Sequence, residues 1–236
     1  MPALAGMFLL MQRDSRPVTS NQTGPHPHLA EVVARHAQHP FHKPLSPFGE
    51  QPFDHAINAW RSYGGSLIVD AGCGVGLSTR RLAQQFTDAF IIGIDQSAHR
   101  LQRHTRWEGA EPSNYITVRA ELVDFWQRMA LARIRPSRHY LLYPNPWPKK
   151  AQLQRRWHGH SIFPTILRLG GHLECRSNWK IYIDEMASVL TQLTGFDVPA
   201  EAWHVDPAAA LTPFELKYAA SGHSLWRCAI ELPSSD

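Results

Sequence analysis

The chain has 236 residues, of which 43% are apolar, and a formal net charge of +4 at pH 7. This length suits one α/β domain with a tail, and no stretch reaches the ~20 apolar residues that a membrane span needs. The segment from Ala3 to Met11 is apolar but short, and no basic residue precedes it, so we expect neither a secretory signal nor a membrane anchor. The three cysteines are widely spaced, which predicts a reduced, cytoplasmic protein without a disulfide or zinc framework.

The first 46 residues are rich in Pro, His, Gln and Ser and predict an irregular arm with one short helix near Ala30 to His36. The histidines of this arm match no usual metal-site spacing. We therefore expect a solvated or RNA-facing arm and no bound metal, followed by a folded domain over residues 47–236.

Apolar runs alternate with amphipathic stretches along that domain. Strands are predicted at Leu67 to Asp70, Phe90 to Asp95, Tyr115 to Val118, His139 to Tyr143, His172 to Arg176, Glu201 to Val205 and Ser224 to Leu232. Helices are predicted at Phe53 to Ser62, Ala98 to Trp107, Leu122 to Ala132, Ser161 to Leu169 and Tyr182 to Thr194. This order predicts an α/β fold with a doubly wound, mostly parallel sheet that ends in an antiparallel pair.

The most informative segment runs from Leu67 to Ser78. A buried strand ends in Asp70, and the glycines Gly72, Gly74 and Gly76 then open a helix. The next strand ends in an acid, Asp95. In open α/β sheets, such a glycine loop binds the tail of a nucleoside and such an acid binds its ribose hydroxyls. The Gly-x-Gly-x-Gly spacing resembles that of S-adenosylmethionine-dependent methyltransferases.

This resemblance predicts S-adenosylmethionine as the cofactor. Its candidate contacts are Asp70, Gly72, Gly74, Gly76, Asp95, Gln96 and Glu121. Glu121 follows the third strand, where an acid accepts a hydrogen bond from an adenine amine. The alternative for this residue is a helix-starting glutamate that the helix dipole favours.

A second signal follows the fourth strand, from Tyr143 to Lys150. Three prolines surround Asn145 and Trp147, fixing the backbone of the asparagine and presenting a flat ring on which a base can stack. Basic residues come next, and together they predict contacts to an RNA phosphate backbone: Lys149, Lys150, Arg155 and Arg156.

From residue 65 to residue 232 the chain resembles the bacterial tRNA (guanine-N7)-methyltransferases. Their Phe-Pro-Asp-Pro-Trp-x-Lys, Arg-Arg, Gly-Gly, Thr-Asp-Trp-Glu and Thr-x-Phe-Glu elements correspond, in order, to segments beginning at Tyr143, Arg155, Gly170, Ser177 and Thr212. The resemblance implies a Rossmann-like fold, methylation of guanine N7 in tRNA, and a monomer or homodimer without a membrane partner. It implies catalytic roles for Asn145, Lys149 and Ser177, and substrate contacts from Trp147, Lys150, Arg155, Arg156, Asn178, Thr212 and Glu215.

Three acids of the family are replaced here, by Asn145, Asn178 and Lys180. An asparagine accepts a hydrogen bond without charge, and charge-assisted bonds are roughly twice as strong. Two alternatives therefore stay open. One is a methyltransferase of the same fold with another acceptor, since Asn145-Pro146-Trp147 also resembles the Asn-Pro-Pro-Tyr element of amino-group methyltransferases. The other is a non-catalytic paralogue that binds RNA or the cofactor.

Overall fold

The computed structural model describes residues 15–39, 41–103, 110–206 and 209–233. Within these residues, seven strands form one sheet in the order β3-β2-β1-β4-β5-β7-β6. The strands are β1 Ser66–Ala71, β2 Ala89–Asp95, β3 Tyr115–Arg119, β4 Arg138–Leu142, β5 Gly171–Ser177, β6 Glu201–Trp203 and β7 Leu225–Leu232. The first five strands pair in parallel, and β7 pairs antiparallel with both β5 and β6. The predicted doubly wound sheet with an antiparallel closing pair is confirmed.

Helices connect these strands. They are α1 Leu29–Gln38, α2 Pro47–Tyr63, α3 Leu77–Gln85, α4 Ala98–Leu101, α5 Leu122–Leu131, α6 Phe163–Arg168, α7 Lys180–Thr194 and α8 Pro213–Ala220. Two short 3-10 helices, Lys150–Arg155 and Trp157–Gly159, follow the proline-rich segment. None of the helices in the described ranges is long and apolar enough to cross a membrane.

One prediction about the helices was wrong, and one helix was not predicted. The helix expected over Ala98 to Trp107 ends at Leu101, and Trp107 lies outside the described residues, as does the apolar segment from Ala3 to Met11. Helix α8 was not predicted, although it begins with Thr212 as its N-cap and Pro213 in its first turn. Both residues favour a helix start, but they had been interpreted only as part of a functional motif.

Alternate residues of each strand face opposite sides of the sheet, and two apolar clusters result. Leu67 and Val69 of β1 belong to the larger cluster, under helices α1, α2, α5, α6 and α7, whereas Ile68 packs beneath α3. The helix of the arm, α1, buries Leu29 and Val33 in the larger cluster. The arm and the sheet thus share a core, and the carboxyl ends of the parallel strands lie together at one edge.

Candidate cofactor and substrate site

The glycine loop joins β1 to α3. Gly72, Gly74 and Gly76 all have positive φ angles, of 83°, 61° and 78°, which glycine adopts without the steric cost that other residues incur. The backbone nitrogen of Gly72 donates to the carbonyl of Ile94 over 2.8 Å, which ties the loop to β2. A side chain added at Gly72 or Gly74 would meet no atom within 4 Å. The outer face of the loop is therefore open to a ligand.

Asp70 lies beneath this loop, not on its surface. Its side chain is 1% exposed, and its Oδ2 accepts hydrogen bonds from Ser78 Oγ (2.6 Å) and Thr79 Oγ1 (2.8 Å). Burial raises the pKa of this carboxyl to about 6. The prediction that Asp70 contacts the cofactor is corrected, because the structure makes it a support for the first turn of α3.

Asp95 ends β2 and braces the loop. Its Oδ2 accepts from the backbone nitrogen of Gly74 over 3.0 Å, and its Oδ1 accepts from that of Ser97 over 2.8 Å. Arg100 Nη2 lies 3.1 Å from the same Oδ1. Asp95 is 3% exposed, both of its oxygens are engaged within the protein, and its contact to a ribose stays a prediction. Arg100, which pairs with it, was not among the predicted site residues. The neighbouring Gln96 side chain is exposed.

Glu121 is the N-cap of α5. Its carboxylate accepts hydrogen bonds from the backbone nitrogens of Val123 (3.2 Å) and Asp124 (2.9 Å), and it lies 3.9 Å from Lys43 Nζ. This geometry is the helix-starting alternative named above. The contact to an adenine amine stays a prediction.

The proline-rich segment after β4 has a strained backbone at two of its residues. Tyr143 and Trp147 have φ angles of 51° and 46°, values that are uncommon outside glycine and that often mark functional sites. Asn145 Oδ1 accepts from the backbone nitrogen of Trp147 over 3.3 Å, which orients the asparagine side chain. The guanidinium carbon of Arg155 lies 4.8 Å from the ring centroid of Trp147. A base can therefore stack only on the other face of that ring or in place of Arg155.

The basic stretch does not form one surface. Lys149, Lys150 and Arg155 are exposed, but Arg156 is fully buried and forms an ion pair with Glu185 over 2.5 Å. The prediction that Arg156 contacts phosphate is wrong, because a buried guanidinium with a carboxylate partner is not available to RNA. Glu185 lies on the apolar face of α7, beside Tyr182 and Met186, and an acid at such a position is a sequence signal of a buried ion pair.

The segment after β5 is also engaged within the protein. Ser177 is buried, and its Oγ accepts from the backbone nitrogen of Trp179 over 3.1 Å. Asn178 Nδ2 lies 3.4 Å from His223 Nδ1. The ammonium of Lys180 donates to Asp184 over 2.5 Å and lies 5.0 Å from the ring centroid of Trp226.

The predicted substrate contacts of Thr212 and Glu215 are corrected. Thr212 caps α8, because its Oγ1 accepts from the backbone nitrogen of Glu215 over 3.0 Å. The fully buried carboxylate of Glu215 accepts from Tyr143 Oη, Trp203 Nε1, Arg176 Nη1 and the backbone nitrogen of Leu211, over 3.0, 3.0, 2.8 and 2.7 Å. Glu215 therefore joins four segments of the fold and does not reach a substrate.

Across the described ranges, no group of histidine, cysteine, aspartate and glutamate side chains has an arrangement that could hold a metal ion.

A family model described as "Putative methyltransferase" matches residues 65–228. The tRNA (guanine-N(7)-)-methyltransferase of Saccharophagus degradans is 27% identical over 191 residues, which cover 76% of this chain and 82% of the relative. The enzyme of the same name from Ralstonia pickettii is 25% identical over 185 residues, covering 76% of this chain and 71% of the relative.

Solved structures share the fold at lower identity. A 16S rRNA methyltransferase, KamB, aligns with a TM-score of 0.54 at 14% identity and covers 80% of this chain and 95% of its own. An antibiotic-related methyltransferase aligns with a TM-score of 0.53 at 17% identity and covers 80% and 96%. These likenesses confirm the predicted Rossmann-like fold. The family model spans most of the chain, and the predicted resemblance is confirmed: this protein belongs to the methyltransferase family, as a divergent relative of the tRNA (guanine-N7)-methyltransferases.

Proposed function

We propose that this chain is an S-adenosylmethionine-dependent methyltransferase that methylates N7 of guanine in tRNA. The observation that carries the proposal is the glycine loop, which is open at Gly72 and Gly74 and braced by Asp95. It lies at the sheet edge where α/β folds bind nucleosides. The named activity of the relatives from Saccharophagus and Ralstonia supports the choice of acceptor.

The residues of the loop fit S-adenosylmethionine. Glycines without side chains let the backbone approach a ligand, and Asp95 ends the second strand, at the place where an acid of such folds accepts hydrogen bonds from ribose hydroxyls. When bound, this cofactor supplies a methyl group on a positively charged sulfur. The protein is left with the tasks of holding the nucleoside and excluding water.

The acceptor makes few chemical demands on the chain. Guanine N7 presents a lone pair in the major groove, so no side chain has to remove a proton from it. The contribution of the protein is alignment, which can supply a large part of a rate enhancement. Asn145, oriented by its bond to the Trp147 nitrogen, is the polar group we assign to the base. The exposed Lys149, Lys150 and Arg155 would contact the phosphates of a tRNA in the cytoplasm.

The test is transfer of a tritiated methyl group from S-adenosylmethionine into bulk tRNA, followed by digestion to nucleosides. We expect label in 7-methylguanosine. Asn145→Asp restores the acid of the related enzymes and should raise the rate by roughly tenfold, because a charged acceptor makes a stronger bond. Asn58→Asp, which adds the same charge on the exposed side of α2, should leave the rate unchanged. A folded protein that binds S-adenosylhomocysteine but labels no guanine, even as Asn145→Asp, would refute guanine N7 as the acceptor.

A second candidate is a methyltransferase of the same fold with another acceptor. It is favoured by the side chains that replace the family's acids, because Asn178 contacts His223 and Lys180 pairs with Asp184. Neither offers a carboxylate to the donor edge of guanine. Label in another nucleoside or in an amine would select this candidate, and cofactor binding without label in any acceptor would leave a binding role.

A further inference from the structure

The amino-terminal arm crosses the edge of the sheet beside the candidate site. We call residues 15–26 the strap. At its start, the backbone nitrogen of Ser15 donates to Ser221 Oγ over 3.3 Å, and the Ser15 carbonyl lies 2.8 Å from His223 Nε2. Farther along, Ser20 Oγ donates to the carbonyl of Pro148 over 2.6 Å. The strap therefore runs from the end of α8 to the proline-rich segment.

The end of the strap enters a buried polar cluster. Gln22, which is 6% exposed, donates from Nε2 to Glu185 over 3.1 Å, and its Oε1 accepts from Arg156 Nη2. The backbone nitrogen of His26 donates to the same glutamate over 2.8 Å, and His158 Nε2 lies 2.9 Å from its other oxygen. Burial alone would raise the pKa of Glu185, but the hydrogen bonds and charges of His158 and Arg156 lower it to about 2.

Arg156 connects this cluster to the proline-rich segment. Its Nε and Nη2 each donate to the carbonyl of Trp147 over 3.1 Å, and its Nη2 lies 3.4 Å from the carbonyl of Lys149. Trp147 has a left-handed backbone conformation. Such a conformation persists only where surrounding contacts over-determine it, and the contacts from Arg156 are of this kind.

We propose that Gln22 is a positioning residue: through Arg156, the strap holds the segment from Asn145 to Lys149 in the conformation that receives the substrate base. That this segment receives a substrate base rests on the proposed function. That the strap restrains the segment does not depend on it. Gln22 is separated from Arg156 by 134 residues in the chain. The neighbouring Ser20 and Asn21 bond to Pro148 and Lys150 of the loop at exposed positions, whereas the contact of Gln22 with Arg156 is buried. The glycine loop and Asp95 lie outside this set of hydrogen bonds.

The test compares Gln22→Ala with Gln192→Ala. Gln192 also joins the arm to the domain, through a bond from its Nε2 to the carbonyl of Ala30 over 3.1 Å, but that bond is exposed and outside the cluster. Trypsin cleavage after Lys149 or Lys150, followed by mass spectrometry, reports opening of the segment. Loss of a hydrogen bond to a charged group should speed this cleavage roughly tenfold or more in Gln22→Ala. The control should match the wild type.

The same variants are then assayed for tRNA methylation and for S-adenosylhomocysteine binding. We expect kcat to fall about tenfold in Gln22→Ala while the affinity for S-adenosylhomocysteine stays within about twofold, since the glycine loop is untouched. Gln22→Glu places a second carboxylate against Glu185, and it should raise the cleavage rate and lower kcat more than Gln22→Ala does. Combining Gln22→Glu with Glu185→Gln restores one carboxylate and one amide around Arg156 and should recover slow cleavage and activity.

Wild-type rates of cleavage and methylation in Gln22→Ala would overturn the proposal. A parallel loss of ligand binding and of thermal stability would also overturn it, because it would show a general structural role. The two proposals can fail separately. If Gln22→Ala is cleaved faster than the wild type as expected, but the wild type methylates no tRNA, the proposed function is overturned and the positioning role of Gln22 stands.

Discussion

The buried carboxyl of Asp70 predicts an unusual dependence of stability on pH. Its pKa rises from 3.8 to about 6 because burial disfavours the charged form. The folded state therefore binds this proton more tightly than the unfolded state does. The stability that the protonated group contributes is fully present below pH 3.8 and is lost as the pH rises through 6. A pKa rise of this size corresponds to about 3 kcal/mol.

The perturbation is Asp70→Asn, which removes the charge and keeps an oxygen that accepts from Ser78 and Thr79. We expect the variant to match the wild type near pH 4 and to exceed it above pH 6, by up to about 3 kcal/mol in the free energy of unfolding. Urea unfolding of both proteins at intervals from pH 4 to pH 8 measures the difference between the two curves.

The difference between the curves is the diagnostic quantity, because other buried groups titrate in both proteins. Burial lowers the pKa of His139 to about 3, for example, and this term cancels between wild type and variant. Asp88→Asn, at an exposed position, is the matched control and should give a flat difference. A flat difference for Asp70→Asn as well would refute the reasoning that burial raises the pKa of this carboxyl.

Three further predictions concern the cofactor and RNA sites. Arg100→Ala removes one of the two partners of Asp95 Oδ1 and leaves the backbone nitrogen of Ser97. It should tighten S-adenosylhomocysteine binding in calorimetry by up to about fivefold, the scale of a half-exposed ion pair. Weaker binding would mean that Arg100 contacts the ligand, and Arg103→Ala is the control. The methyl group that Gly74→Ala adds would contact no protein atom, so the variant should fold at a cost of about 1 kcal/mol in stability but bind the ligand more weakly. Unchanged affinity would place the ligand elsewhere. Replacing Lys149 and Lys150 by alanine should reduce the slope of log affinity for tRNA against log salt by about two, and an unchanged slope would exclude both residues from phosphate contacts.

The glycine loop and the strands on either side of it were predictable because their signals are local. A β-branched run, three glycines and a second strand ending in Asp95 lie within 29 residues, from Leu67 to Asp95. Each feature has a direct backbone consequence, in the positive φ angles and in the bond from Gly74 to Asp95. The depth of Asp70 was less predictable, since the sequence does not show that Ser78 and Thr79 turn inward to meet it.

The residues predicted to contact the substrate were placed less well. A charged residue in a sequence is expected at the protein surface unless its buried partner is known. The partner of Arg156 is 29 residues away, at Glu185, and that of Glu215 is 39 residues away, at Arg176. Pairings at such distances depend on the packing of whole elements. A local pattern, such as the acid Glu185 on the apolar face of α7, indicates a buried ion pair but does not identify its partner. The basic stretch and the Thr-x-Phe-Glu element were therefore assigned to substrate, although Arg156 and Glu215 are interior.

The buried contact between Gln22 and Glu185 has a consequence for the order in which the chain matures. A ribosome releases Gln22 early, but its partners Arg156 and Glu185 follow 134 and 163 residues later. Closing a loop of that length carries an entropic cost that only the finished contact repays. During synthesis the strap must therefore wait, solvated, until α7 has emerged and folded against the sheet. We expect the segment carrying Trp147 to acquire its final backbone conformation only at that stage.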